Sequence, residues 1–68
     1  MTGRQFKAWR QELDITRAAV ARRFGRSHSW ARGLENEYLD RQVPGLTEMA
    51  VGFVTLLLTL GLECTEDW

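Results

Sequence analysis

The chain has 68 residues, 44% of them apolar, nine basic and nine acidic side chains, and a formal net charge of zero. That length holds one domain with one small core, and the apolar share excludes a disordered chain. One cysteine, Cys64, excludes an internal disulfide and a cysteine-rich zinc site, which fits a reducing, cytoplasmic setting. No basic segment followed by an apolar stretch opens the chain, so no secretory signal is expected.

The charge is unevenly spread. Residues 1–34 carry eight basic residues against Glu12 and Asp14, a net of +6; residues 35–68 carry Arg41 against seven acids, a net of −6. A polyanion-binding half and a half that stays off the polyanion account for this; chance clustering on a solvated surface is the plain alternative.

The chain reads as all-α, a single domain over 1–68 with four helical segments. The first runs from about Arg4 to Leu13, capped by Thr2, with Phe6, Trp9, Arg10 and Leu13 on one face. The second runs from Arg17 to Phe24. Thr16 is its N-cap, Ile15 and Val20 are spaced for a hydrophobic staple, and Ala18, Val20, Ala21 and Phe24 are expected to face the core. Gly25 follows Phe24 where a helix end tolerates the left-handed conformation. Ser27 caps the third segment, His28 to Glu35, whose buried positions are Ala31 and Leu34. Two capped helices with so short a joint make a helix-turn-helix over about 16–35, and that motif puts DNA binding first among the functions.

Residues 36–45 read as a loop closed by Pro44 and Gly45. A fourth helix, about 46–61, is apolar nearly all round, whereas a surface helix shows one apolar stripe. Met49, Phe53, Leu56, Leu57 and Leu60 are expected to cover the core. Val51, Val54, Thr55 and Leu58 would then stay exposed and form a dimer interface. Glu48 and Glu63 bound the apolar run, which is too short for the ~18–20 residues of a membrane span. A single helix buried inside a monomer is the alternative, against which stands the small size of the domain.

From Phe6 to about Gln42 the chain resembles the Cro and lambda-repressor-like helix-turn-helix proteins of phages and bacteria. The resemblance rests on Ile15-Thr16 opening the second helix, Ala21 and Phe24-Gly25, Ser27 opening the third, Ala31 and Leu34 within it, and Glu35-Asn36 at its end. It is strongest toward short phage-type members, including small autorepressors and regulators encoded beside anti-CRISPR genes. The resemblance implies a four- to five-helix domain and a structural ion pair between Arg10 and Glu35. It also implies a transcriptional repressor, acting in a bacterial host cell at the nucleoid. The chain departs from the family's pattern at Arg17, where glutamine is common, and at Glu37, where glycine is common. Gly33 inside the third helix lowers helix propensity by about 1 kcal/mol relative to alanine.

In a helix-turn-helix the second helix of the motif enters the major groove and its first turns meet base edges. His28, Ser29 and Arg32 are the expected base contacts, Arg32 having the fork that fits guanine O6 and N7. Arg17, Arg26, Ser27, Trp30, Arg41 and Gln42 are the expected backbone contacts. His28 is otherwise a plain surface histidine. Trp30 admits two placements, against the groove wall or folded back over the second helix. Arg22 and Arg23 sit late in their helix, and at least one is expected to be only a solvated charge.

The expected partners are double-stranded DNA with an inverted-repeat operator and a second copy of the chain. No membrane, small-molecule ligand or cofactor is expected. One histidine and one cysteine 36 residues apart make neither a nucleophile–base pair nor a metal site, and no glycine-rich phosphate loop is present. The rival reading is a protein-interaction module or antitoxin whose apolar fourth helix binds a different protein.

Overall fold

Thr2 starts the first helix through a reciprocal capping box. Its Oγ1 accepts the Gln5 N–H at 3.2 Å, and Gln5 Oε1 accepts the Thr2 N–H at 2.8 Å. In this computed structural model, which describes residues 1–68, the helices are α1 (Gly3–Glu12), α2 (Arg17–Arg23), α3 (His28–Glu37) and α4 (Gly45–Thr59). A 3-10 turn over Thr65–Asp67 follows. Thr16 and Ser27 cap α2 and α3, accepting the N–H groups of Ala19 at 3.1 Å and Trp30 at 3.3 Å.

Between α2 and α3 the chain turns at Gly25, whose φ is +67°. The Arg26 N–H reaches Ala21 O at 2.8 Å and the Gly25 N–H reaches Arg22 O at 3.1 Å. These two bonds close the helix end as a Schellman motif. The turn is therefore tight, and only three residues separate the α2 cap Phe24 from the start of α3 at His28.

The end of α3 and the start of α1 meet head to tail. Gly3 N–H donates to Tyr38 O at 2.6 Å and Arg4 N–H to Leu39 O at 3.2 Å. Orphan donors of one helix thus satisfy acceptors just beyond the end of the other. Met1 and Thr2 also lie along residues 42–43, through a Thr2–Gln42 bridge and a Val43 N–H to Met1 O bond of 2.9 Å. α3 runs two residues beyond the expected Glu35, to Glu37.

Phe6, Val20, Ala21, Ala31, Leu34, Val43 and Val51 form the buried core. Around them Phe6, Trp9, Phe24 and Trp30 close a ring of aromatic contacts, with successive centroids 5.6–6.3 Å apart. Trp30 is therefore folded inward. Ala18, expected on the core face, is exposed; that face of α2 is centred on Val20, Ala21 and Phe24.

α4 docks through a different face from the one expected. Thr47, Val51 and Val54 are its buried residues, while Met49, Phe53, Leu56 and Leu60 are exposed. The two expected faces are largely exchanged, although Thr55 stays exposed as expected and Leu57 is half-buried. Trp9, Phe24 and Trp30 are partly buried against the core, and the helix docks through its small and branched side chains. Trp9 fixes this orientation by donating Nε1–H to Thr55 Oγ1 at 3.0 Å. Val51 and Val54 are core residues of one chain and not a free interface, and Thr55 and Leu58 lie on the same docked side, Leu58 half-buried.

Candidate nucleic-acid interface

Ser27, His28, Ser29 and Arg32 are all exposed on the first turns of α3, and Arg26 lies exposed just before them. Arg32 follows His28 by four residues and Ser29 by three, so the three share one helical face. The Ser27 hydroxyl is occupied by Trp30 N–H, leaving the N–H groups of His28 and Ser29 at a positive helix end. The Arg26 guanidinium carbon lies 5.7 Å from the centroid of the Trp30 ring. That stacking positions the cation without neutralising it.

Most other basic side chains of the chain are engaged elsewhere. Arg4 pairs with Asp40 at 3.1 Å, and Arg10 with Glu35 at 2.9 Å. Arg17, expected at a phosphate, lies 3.6 Å from the same Glu35 carboxylate and acts as its second cation. Arg41 donates to the Glu37 carbonyl at 3.2 Å and stacks over Tyr38 at 4.8 Å. Arg26 and Arg32 have no acidic partner within the chain, and neither has Lys7 on α1.

Two further expected backbone contacts are engaged within the chain, Trp30 in the folded-back one of its two expected placements. Gln42 is clasped on both sides: its Oε1 accepts the Met1 amino group at 2.9 Å and its Nε2 donates to Glu48. The Trp30 ring is committed to Phe6 and Phe24, with only its outer edge beside Arg26. Arg22 and Arg23, expected to include a free surface charge, both hold the tail. Arg23 pairs with Glu63 through two hydrogen bonds, Glu63 also accepts Trp68 Nε1–H at 3.0 Å, and Arg22 donates to Trp68 O at 2.9 Å. The hydrogen bond from Arg23 holds the Glu63 carboxyl below its ordinary range and raises the Arg23 guanidinium in turn.

This tail clasp escaped the sequence reading. Its only local signal is Gly61, at φ +73°, which ends α4 and turns the chain back toward α2. Beside the α3 face runs a shallow groove of about 320 Å³, lined by Phe24, Arg26, Trp30, Leu46 and Ala50 among others. No group of three or more His, Cys, Asp or Glu side chains is arranged to hold a metal ion. No helix is long and apolar enough to cross a membrane. Searches of protein-family models, curated proteins and solved structures find no match to this chain.

Proposed function

We propose that this protein is a sequence-specific, double-stranded-DNA-binding transcriptional regulator, a repressor of the short phage type that works as a homodimer in the cytoplasm. The observation that carries the reading is the exposed, unpaired set Arg26, His28, Ser29 and Arg32 on the opening turns of a capped helix. Those groups present a hydrogen-bond fork, two smaller polar readers and a spare cation to one surface. That is the combination a major-groove helix needs.

In this reading α3 lies in the major groove. Arg32 takes guanine O6 and N7, His28 and Ser29 meet neighbouring base edges, and Arg26 with the α3 N-terminus meets phosphate. Two copies place their α3 helices one DNA turn apart, ~34 Å, on an inverted repeat. Occlusion of a promoter, its own included, follows from binding without any further domain. The resemblance to Cro and lambda-repressor-like proteins points the same way.

A mobility shift on the DNA flanking its own gene, with excess random competitor at two salt concentrations, tests the reading. A competitor-resistant shift on an inverted repeat is expected, weakening steeply with salt. Loss of every shift to competitor would remove sequence-specific binding. The exposed apolar residues of α4 favour the second reading, a protein-interaction module, which predicts no operator and a tight complex with a non-identical protein.

A further inference from the structure

The face of α4 turned away from the core has its own order. Leu46, Met49, Phe53, Leu56 and Leu60 recur at intervals of three, four, three and four residues. They are 81%, 71%, 60%, 53% and 61% exposed. A mean spacing of 3.5 residues matches the seam of two helices packed knobs-into-holes more closely than the broader stripe of a helix laid on a globular core.

We propose that a second copy of this chain covers that seam, α4 against α4 about a two-fold axis passing near Gly52. The inference rests on the homodimer named in the reading above and supplies its interface. Three features select a second copy as the occupant. First, no charged residue lies between Glu48 and Glu63. The positions flanking the seam, which set partner choice by charge in paired helices, are Ala50, Gly52, Leu57 and Thr59. An identical seam therefore meets no like-charge repulsion, and a charged partner helix gains no complementary contact.

Second, Gly52 has no role within one chain. Its φ is not positive, and a Cβ there would meet nothing within 4 Å. A mid-helix glycine weakens the helix it sits in, so its local effect is a loss. Beside an exposed apolar seam it leaves bare backbone against which a second helix can pack at the short end of the usual 8–10 Å interaxial range.

Third, the seam is self-complementary and large enough. Five big apolar side chains more than half exposed offer on the order of 500 Å² per copy, most of the ~800 Å² per partner of a standard interface. The same row of knobs faces the same row of holes, as a two-fold contact requires.

Sedimentation equilibrium over a series from low micromolar to near-millimolar tests this without DNA. The wild-type chain is expected to reach twice the 7.9 kDa of one chain. Phe53→Asp removes a side chain that the core does not hold, so it is expected to keep its helical circular dichroism and sediment at the single-chain mass. Gly52→Gln restores helix propensity while blocking close approach, and is expected to weaken the pair at least roughly tenfold without loss of helicity. A wild-type mass of one chain throughout, or a Phe53→Asp protein that stays paired, overturns the seam. Either result leaves operator binding to be judged by its own mobility shift, and a paired protein that binds no operator removes the DNA reading while keeping the seam.

Discussion

Arg10 on α1 and Glu35 on α3 are joined by two hydrogen bonds, Nε and Nη2 donating to the two carboxylate oxygens at 2.9 and 3.1 Å. The side chains are only 10% and 3% exposed. Arg10 Nη1 is used as well, donating to Ile15 O at 2.8 Å. One guanidinium therefore ties α1 to the second half of α3 and to the α1–α2 link, which holds α3 in its orientation against α1.

Removing one member of such a pair strands a buried charge. Arg10→Ala is expected to lower the unfolding free energy by ~3–5 kcal/mol. Arg17 reaches the same carboxylate only at 3.6 Å and is 38% exposed, so Arg17→Ala is expected to cost under ~1 kcal/mol. Urea denaturation followed by circular dichroism compares the two. Equal losses would mean that Glu35 depends on both arginines alike.

Gly3 packs closely against the end of α3 and the residue after it. A Cβ there would lie 2.1 Å from Leu34 O and 2.6 Å from Tyr38 O, both backbone atoms with little freedom to move. Gly3→Ala must separate the start of α1 from the end of α3 and break the Gly3–Tyr38 bond. The expected cost is at least ~1–3 kcal/mol, read as a lower thermal midpoint. A midpoint equal to wild type would show that the two helix ends slide apart freely.

Local features of the fold were legible in the sequence. Thr2, Thr16, Ser27 and Gly25 act within one turn of chain, and each sits at the helix end expected of it. The exposed α3 positions His28, Ser29 and Arg32 followed from the Ser27 cap and the buried Ala31 and Leu34. The orientation of α4 was not legible, because a helix apolar nearly all round offers two faces and its sequence does not say which is docked. The burial of Val51 and Val54 and the Trp9–Thr55 bond across 46 residues show which one it is. Long-range partners of charged residues were equally hidden: Arg17 with Glu35, Arg23 with Glu63, and Gln42 with Met1 join segments that no periodicity relates.

The tail clasp gives the chain an acid-sensitive contact. Glu63 has a folded-state pKa below its unfolded value, the Arg23 hydrogen bond being the main cause. The stabilisation it gives is therefore complete above the ordinary glutamate pKa of ~4.3 and is lost as pH falls through the depressed folded value. Arg23, shifted upward, stays charged throughout that window. Trp68 lies 6.5 Å from Trp9, ring to ring, and donates to Glu63, so tryptophan fluorescence reports the release. Acidification is expected to change the emission in wild type, with Glu63→Gln showing a weakened clasp already at neutral pH. An acid transition unchanged in Glu63→Gln would assign it to another carboxylate.

Arg32 and Arg26 separate base reading from phosphate binding within the proposed DNA contact. Arg32 is exposed one turn into α3 with no partner, whereas Arg26 is stacked on Trp30 just before the helix. Arg32→Ala is expected to cost ~1–3 kcal/mol on the operator and to relax preference at one base pair of each half-site. Arg26→Ala is expected to weaken operator and random DNA alike and to reduce the slope of log K against log salt by about 1. Competition titrations with single-base operator variants at several salt concentrations resolve both effects. If Arg32→Ala lowered affinity uniformly, leaving base preference intact, Arg32 would be a phosphate contact and α3 would lie rotated in the groove. If Arg26→Ala left the salt slope unchanged, the Trp30 stack would hold that guanidinium away from the backbone, and the phosphate anchor would move to Lys7 or the α3 N-terminus.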